Sequence, residues 1–215
     1  MLDGREKNNY KKLSIKNKIS SIQYPASRIQ YRFFTRITQY SHEIIFQERK
    51  LTTVLAMLGK IVKDRDELAR KIEELKKQGK RIVLTNGGFN LLHVGHIRSL
   101  FGAKEHGDIL VVAVNSDTSL KNIKGTDYPI IPEDQRLEVI AAIECVDFVT
   151  IFSETTADST LLKLKPHVHA KGTDYSKESI LERETVLSYG GEIAIVGDPK
   201  SHSSSNIIEK IRKLK

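Results

Sequence analysis

Residues 81–98 read Arg-Ile-Val-Leu-Thr-Asn-Gly-Gly-Phe-Asn-Leu-Leu-His-Val-Gly-His-Ile-Arg. The apolar run Ile82-Val83-Leu84 predicts a strand, and the segment from Val94 onward predicts a helix. His93 and His96 therefore stand where a strand turns into a helix, and their spacing puts both on one helix face. At the first turn that face also carries unpaired backbone N–H groups and the positive end of the helix dipole. Gly87, Gly88 and Gly95 remove Cβ atoms where a ligand could press on the backbone. Together these features make an anion cradle with two imidazole donors, suited to a nucleoside triphosphate. A lone histidine at a helix start is more often a satisfied polar residue. The full context of strand, Gly-Gly, His-x-Gly-His and helix reverses that balance.

Working outward, apolar runs alternate with amphipathic segments. Strands are predicted at 81–86, 108–115, 147–152, 167–171 and 192–196, and helices at 94–106, 132–145, 157–164, 177–189 and 204–213. An entry helix over 64–78 is capped by Asp64 or Asp66, carries Leu68, Ile72 and Leu75 at helical spacing, and stops at Gly79. Runs such as Ile109-Leu110-Val111-Val112-Ala113-Val114 suit strands buried on both faces of a parallel sheet. The fold class expected is α/β: a doubly wound, mostly parallel, five-stranded Rossmann-like sheet. Ligands in such sheets bind beyond the carboxyl ends of the strands. That edge holds Gly87, His93, Ser116, Lys171 and Asp198.

The 215 residues carry a net charge of +8, unevenly placed. Residues 1–56 hold 11 Lys and Arg against four Asp and Glu, a net of +7, which leaves the remainder at +1. The division expected is a basic extension over 1–58, disordered or partly helical near 42–57, followed by a single folded domain over 59–215. The extension lacks an apolar h-region with a cleavage site, so a secretory signal is not expected. Met57 offers an internal start just before the regular pattern. No run of about 18 apolar residues suggests a membrane span. The single cysteine, Cys145, lies in an apolar stretch and reads as a small core residue. It can form no internal disulfide, which fits a cytoplasmic setting.

Further groups fall on the same sheet edge. Lys121 and Lys124 follow Asn115-Ser116-Asp117 in what reads as a polar loop, and lysines there could offset charge on a leaving pyrophosphate. Arg136, in a helix opening at Pro132-Glu133-Asp134, could reach phosphates or pair structurally with a carboxylate. Lys171-Gly172-Thr173-Asp174-Tyr175 places a lysine and a carboxylate at a strand end, suited to phosphate or acceptor binding or to a structural turn. The same pentapeptide occurs at Lys124–Tyr128, as two similar loops or by chance. Ser203, Ser204 and Ser205 precede Ile207-Ile208 and can cap a helix whose N–H groups face an anion.

The segment Gly88-Phe89-Asn90 followed by His93-Val94-Gly95-His96 resembles the signature of the nucleotidyltransferase superfamily, with Asn90 where most members have Asp. The amide keeps an acceptor oxygen but loses the charge. Residues 60–213 are more narrowly similar to the adenylyltransferases that make ADP-activated heptose for lipopolysaccharide, a unit found alone or fused to a sugar kinase. Thr85-Asn86-Gly87-Gly88-Phe89, Val112 to Asp117, Lys124-Gly125, Pro129 to Arg136, Lys171-Gly172-x-Asp174-Tyr175 and Ser203-Ser204-Ser205 carry that similarity. The family often has Cys where Gly88 stands and Thr where Ser204 and Ser205 stand. Glycerol-phosphate cytidylyltransferases share the histidine and serine features, but their Arg-Thr-x-Gly lead-in is replaced here by Gly197-Asp198-Pro199-Lys200.

The resemblance implies AMP transfer from ATP to D-glycero-β-D-manno-heptose 1-phosphate, giving ADP-heptose and pyrophosphate, with Mg2+ bridging phosphate oxygens. It implies His93 and His96 at the α-phosphate, with at least one protonated or donating through N–H. Lys124, Lys171 and the start of the last helix would hold the outer phosphates. Asn86, Gly87, Gly88, Phe89, Asn90, Gly95 and Arg136 complete the expected nucleotide site, and Asp174 the acceptor site. Neither a resident protein-bound metal, a nucleic-acid partner nor a membrane is expected, and a homodimer is compatible. A cytidylyltransferase acting on glycerol 3-phosphate is the nearest alternative. A nucleic-acid-binding protein using the basic extension is an alternative of another class, and a nucleotide sensor without catalysis is a further one. The first would be separated by ATP against CTP turnover, the second by salt-dependent binding.

Overall fold

The computed structural model describes residues 56–199 and 203–214. The helix expected near 42–57 and nearly all of the 1–58 extension lie outside the described residues. The elements run α1 (Arg65–Lys77), β1 (Ile82–Gly87), α2 (Val94–Lys104), β2 (Ile109–Asn115), α3 (Asp117–Lys124), α4 (Glu133–Ala141) and β3 (Phe148–Phe152). They continue with α5 (Asp158–Leu164), β4 (Val168–Gly172), α6 (Arg183–Ser188), β5 (Glu192–Val196) and α7 (Ser204–Arg212). The five strands form one sheet in the order β3-β2-β1-β4-β5, and every pairing is parallel. The expected sheet is thus present and wholly parallel.

The strand residues explain why helices cover both faces. In β2, Leu110, Val112 and Val114 join one core cluster, with Leu100 and Ala103 of α2 and Leu137 and Ile140 of α4. The alternate residues Val111 and Ala113 join a second, with Leu68 and Ile72 of α1, Leu161 of α5 and Val186 of α6. A period of two sends neighbours to opposite faces, so a continuous apolar run needs a layer on each side. Each fully buried Leu, Ile or Val contributes about 1.5–3 kcal/mol relative to exposure. Cys145 belongs to the first cluster, and burial pushes its thiol pKa up.

Order reverses at β1: β2 and β3 extend to one side, β4 and β5 to the other. A crevice forms at such a switch point, beyond the carboxyl ends of the strands. The entry helix is fixed by Asp64, whose carboxylate accepts from Asp66 N at 2.8 Å and Glu67 N at 3.2 Å. Just before it, Val62 N donates to Val149 O at 2.8 Å and Val149 N to Lys60 O at 2.9 Å, which holds residues 60–62 against β3.

Three expectations need correction. Lys121 and Lys124 lie on α3 rather than in a loop; Ser116 caps it by accepting from Ser119 N, and Gly125 ends it at φ 98°. The helix expected over 132–145 stops at Ala141, where the chain enters turns leading to β3. The helix expected over 177–189 is reduced to Arg183–Ser188. There Ser179 Oγ accepts from Ser176 N and donates to Ser176 O, a local side-chain bond that competes with helix formation.

Candidate active site

The carboxyl edge of β1 and β4 opens into a pocket of about 330 Å³. Asn86, Gly87 and Phe89 line it from β1 and the following turn, and His93, Gly95 and His96 from the start of α2. Lys124 closes one side, Thr173, Asp174 and Tyr175 another, and Ser203, Ser204 and Ser205 a third. Most residues singled out from the sequence therefore meet at one place.

The turn after β1 is built by close contact. Phe89 adopts φ 45°, a left-handed conformation uncommon outside glycine. A Cβ on Gly88 would stand 2.8 Å from Leu120 Cδ2, so a larger residue here requires the Leu120 side chain to shift. The Phe89 ring lies 5.3 Å from that of His96.

His93 is the N-cap of α2, and its ring stacks on His96 with centroids 3.9 Å apart. His96 Nδ1 accepts the His93 backbone N–H at 3.3 Å. Burial, then the neighbouring His93 and Lys124, lower the His96 pKa to about 4, with Asp174 opposing. His96 is thus neutral at pH 7, with Nδ1 committed as acceptor and its proton on Nε2. Of the two forms expected from sequence, a charged ring or a neutral N–H donor, the geometry selects the donor for His96.

At the far wall, Ser203 Oγ accepts from Asn206 N at 3.1 Å and caps α7. Ser204 Oγ donates to Leu91 O at 2.9 Å, tying the start of α7 to the turn before α2. Two helix N-termini therefore border one pocket. Lys124 Nζ lies 5.7 Å from the Tyr128 ring centroid.

Other expected residues lie behind the lining. Arg136, expected at the nucleotide, is 1% exposed. Its guanidinium donates to Ile131 O at 2.9 Å, Gly88 O at 2.6 Å, Asn115 O at 2.8 Å and Asp117 Oδ1 at 2.8 Å. Those bonds occupy it structurally and leave it no route to a phosphate. Asn90 is also buried, and its Oδ1 accepts from Ile130 N at 2.7 Å and Ile131 N at 3.1 Å. It anchors a loop instead of facing a nucleotide, and Gly88 likewise supports the turn. Lys171, expected at the outer phosphates, is 7% exposed and pairs with Glu182 at 3.4 Å.

Sequence reading missed several groups. Arg98 lines the pocket and pairs with Asp198, whose carbonyl accepts from Thr173 Oγ1 at 2.6 Å. Buried His169 and Glu182 sit beneath Asn86. Strand alternation carried a signal for the first: Val168 and Ala170 enter one core cluster, so His169 and Lys171 share the opposite face.

A pocket at a parallel-sheet switch point, with paired imidazoles and two helix N-termini, defines a nucleotide-transferring α/β protein by its fold and site. Residues 84–210 match the cytidylyltransferase-like family, and the chain belongs to that family. It is an enzyme of the nucleotidyltransferase class. The bifunctional protein HldE of Pelobacter propionicus is 47% identical over 150 residues, covering 70% of this chain and 31% of that protein. HldE of Geotalea uraniireducens is 46% identical over 151 residues, again 70% of this chain and 31% of that protein. The chain thus spans about a third of the length of these curated relatives. The lipopolysaccharide core biosynthesis protein of Thermoplasma volcanium has a solved structure similar over 57% of this chain and 100% of its own, with 29% identity and TM-score 0.50. Among the described residues no helix is long and apolar enough to cross a membrane.

Proposed function

We propose that the protein is an adenylyltransferase that transfers AMP from ATP to a sugar 1-phosphate, D-glycero-β-D-manno-heptose 1-phosphate, and releases pyrophosphate. The observation that carries this is the convergence of His93, His96, Lys124 and the start of α7 on one pocket. The likeness to the HldE proteins and to a lipopolysaccharide core biosynthesis protein supports the choice of sugar.

A sugar 1-phosphate is already an anionic nucleophile, so no general base is required. One of its phosphate oxygens forms a bond to the α-phosphorus of ATP. The bond from that phosphorus to the bridging oxygen breaks, and pyrophosphate carries the electron pair away. The enzyme must align the two oxygens and stabilise charge on the equatorial and leaving oxygens. His96 donates through Nε2–H, and His93 stacks beside it as the second imidazole. Lys124 and the N–H groups of α7 take the outer phosphates, while Asp174 and Tyr175 face the acceptor.

Mg2+ supplied with ATP would offset the triphosphate charge. Among the described residues no three His, Cys, Asp or Glu side chains form a metal-holding group.

The test is pyrophosphate release by the full chain with Mg2+, crossing ATP and CTP against heptose 1-phosphate and glycerol 3-phosphate. Release with ATP and heptose 1-phosphate alone is the expected result. Release with CTP and glycerol 3-phosphate would overturn both base and acceptor.

A further inference from the structure

Beneath the pocket lies a buried polar cluster that the transfer step does not use. Asn86 Oδ1 receives His169 Nε2 at 2.9 Å and Lys171 Nζ at 3.2 Å. Asn86 Nδ2 donates to Glu182 Oε1 at 3.4 Å. Glu182 also takes the Ala157 N–H at 3.3 Å and pairs through Oε2 with Lys171 at 3.4 Å. His169 is 0% exposed, Glu182 3% and Lys171 7%. Asn86 itself lines the pocket, and so does Tyr175, whose ring centroid lies 4.9 Å from Lys171 Nζ.

Hydrogen-bond valence decides what Asn86 can offer. Its oxygen already serves two donors, and an amide nitrogen carries two hydrogens. Glu182 takes one of them, which leaves one N–H. Rotating the amide by 180° would set its N–H groups against two cationic or N–H donors and its oxygen against a carboxylate. Such a rotation fails at both ends of the amide, so the cluster permits a single orientation. Burial lowers the His169 pKa to about 4 and holds the ring neutral; with the Asn86 oxygen, an acceptor, 2.9 Å from Nε2, its single proton is placed on that nitrogen. The Lys171 and Glu182 charges offset one another, which a buried pair requires.

We propose that Glu182, with Lys171 and His169, locks the Asn86 amide so that it presents an N–H donor to an anionic ligand, making Glu182 a positioning residue for nucleotidyl transfer. The assignment of a reaction rests on the adenylyltransferase reading above; the locking of Asn86 does not. Glu182 lies at the end of the segment that begins with Thr173, Asp174 and Tyr175. One carboxylate thus joins the ends of β1 and β4 to that wall and to the start of α5.

The experiment follows the Asn86 side-chain amide by NMR in the full chain, without and with ATP, and measures ATP binding and turnover. Without ligand, Glu182→Gln should shift the Asn86 side-chain amide signals and leave most backbone signals in place; unmoved amide signals overturn the proposal. ATP should shift those signals in the wild type, and Asn86→Asp should weaken ATP binding at least tenfold; binding within twofold of wild type overturns it. In turnover, Glu182→Gln should lower kcat/KM for ATP about tenfold, because the amide that meets the anion is no longer held in one orientation. A kcat/KM for ATP within twofold of wild type overturns it. A wild-type protein that binds ATP without releasing pyrophosphate would remove the proposed reaction, and the amide signals and ATP binding alone would then judge the locking.

Discussion

His96 shows how one side chain is set to its task by its surroundings. Burial and adjacent positive charge keep it neutral, and the His93 backbone N–H fixes which nitrogen holds the proton. His96→Ala should therefore cost on the order of 10²–10³ in kcat, as loss of an oxyanion-type donor does. Pyrophosphate release measures this, and near-normal turnover would remove His96 from the mechanism. The same neutrality shapes stability. His96 and His169 are both held near pKa 4 in the folded chain, against the ordinary imidazole value of 6.5. Between those values the unfolded state binds more protons, so stability is complete above pH 6.5 and falls as pH drops toward 4. The loss should reach up to about 3 kcal/mol per histidine. Melting curves at pH 7 and 4.5 test this, and His96→Gln should flatten the dependence. Asn90→Asp makes the opposite kind of prediction. A carboxylate would accept the same Ile130 and Ile131 N–H groups, and Asn90 lies behind the pocket lining. Turnover should stay within about threefold of wild type, since the acceptor role is preserved; a larger gain would give the carboxylate a direct part in the chemistry.

Among the elements, α4 ties several others together. Through Arg136 it binds the carbonyls of Gly88 and Asn115, at or just past the carboxyl ends of β1 and β2, together with Asp117 at the start of α3. Arg136→Met would leave a carboxylate and three carbonyls without their donor. It should destabilise the fold by about 3–5 kcal/mol, the usual effect of breaking a buried pair. For a chain of this size that lowers Tm by roughly 10 °C. A stable variant with a large rise in the KM for ATP would instead restore the nucleotide contact expected from sequence. Strands and major helices were legible because hydrophobic period and caps are local: Asp64, Gly79 and the β2 run each announce themselves. Helix α3 was not, because Asp-Thr-Ser-Leu-Lys-Asn-Ile-Lys has weak helix propensity. It forms because Ser116 caps it and Ser119 and Leu120 are buried against the sheet. The site divides the same way. The histidine pair and Ser203 share a motif with their own backbone, whereas Arg136, Glu182 and the Ser204 tie to Leu91 take their roles from partners up to 113 residues away.

At the scale of the molecule, the sheet domain begins before its first long helix. Residues 60–62 lie along β3, and Met57 and Ile61 pack against the core beneath α2 and α4. A chain begun at Met57 should therefore fold and release pyrophosphate at the full-length rate, which circular dichroism and the same assay would check. Failure to fold would give residues 1–56 a structural part.

The tie between Ser204 and the Leu91 carbonyl fastens a wall onto a core that is finished without it. The sheet is complete once β5 ends at Val196, and α7 has no buried residue of its own. The described strands and both core layers are thus complete at Val196, and α7 adds only the wall that carries Ser203, Ser204 and Ser205. Making the fold and completing the pocket are therefore separable: a fault confined to α7 should spoil the site while sparing the core.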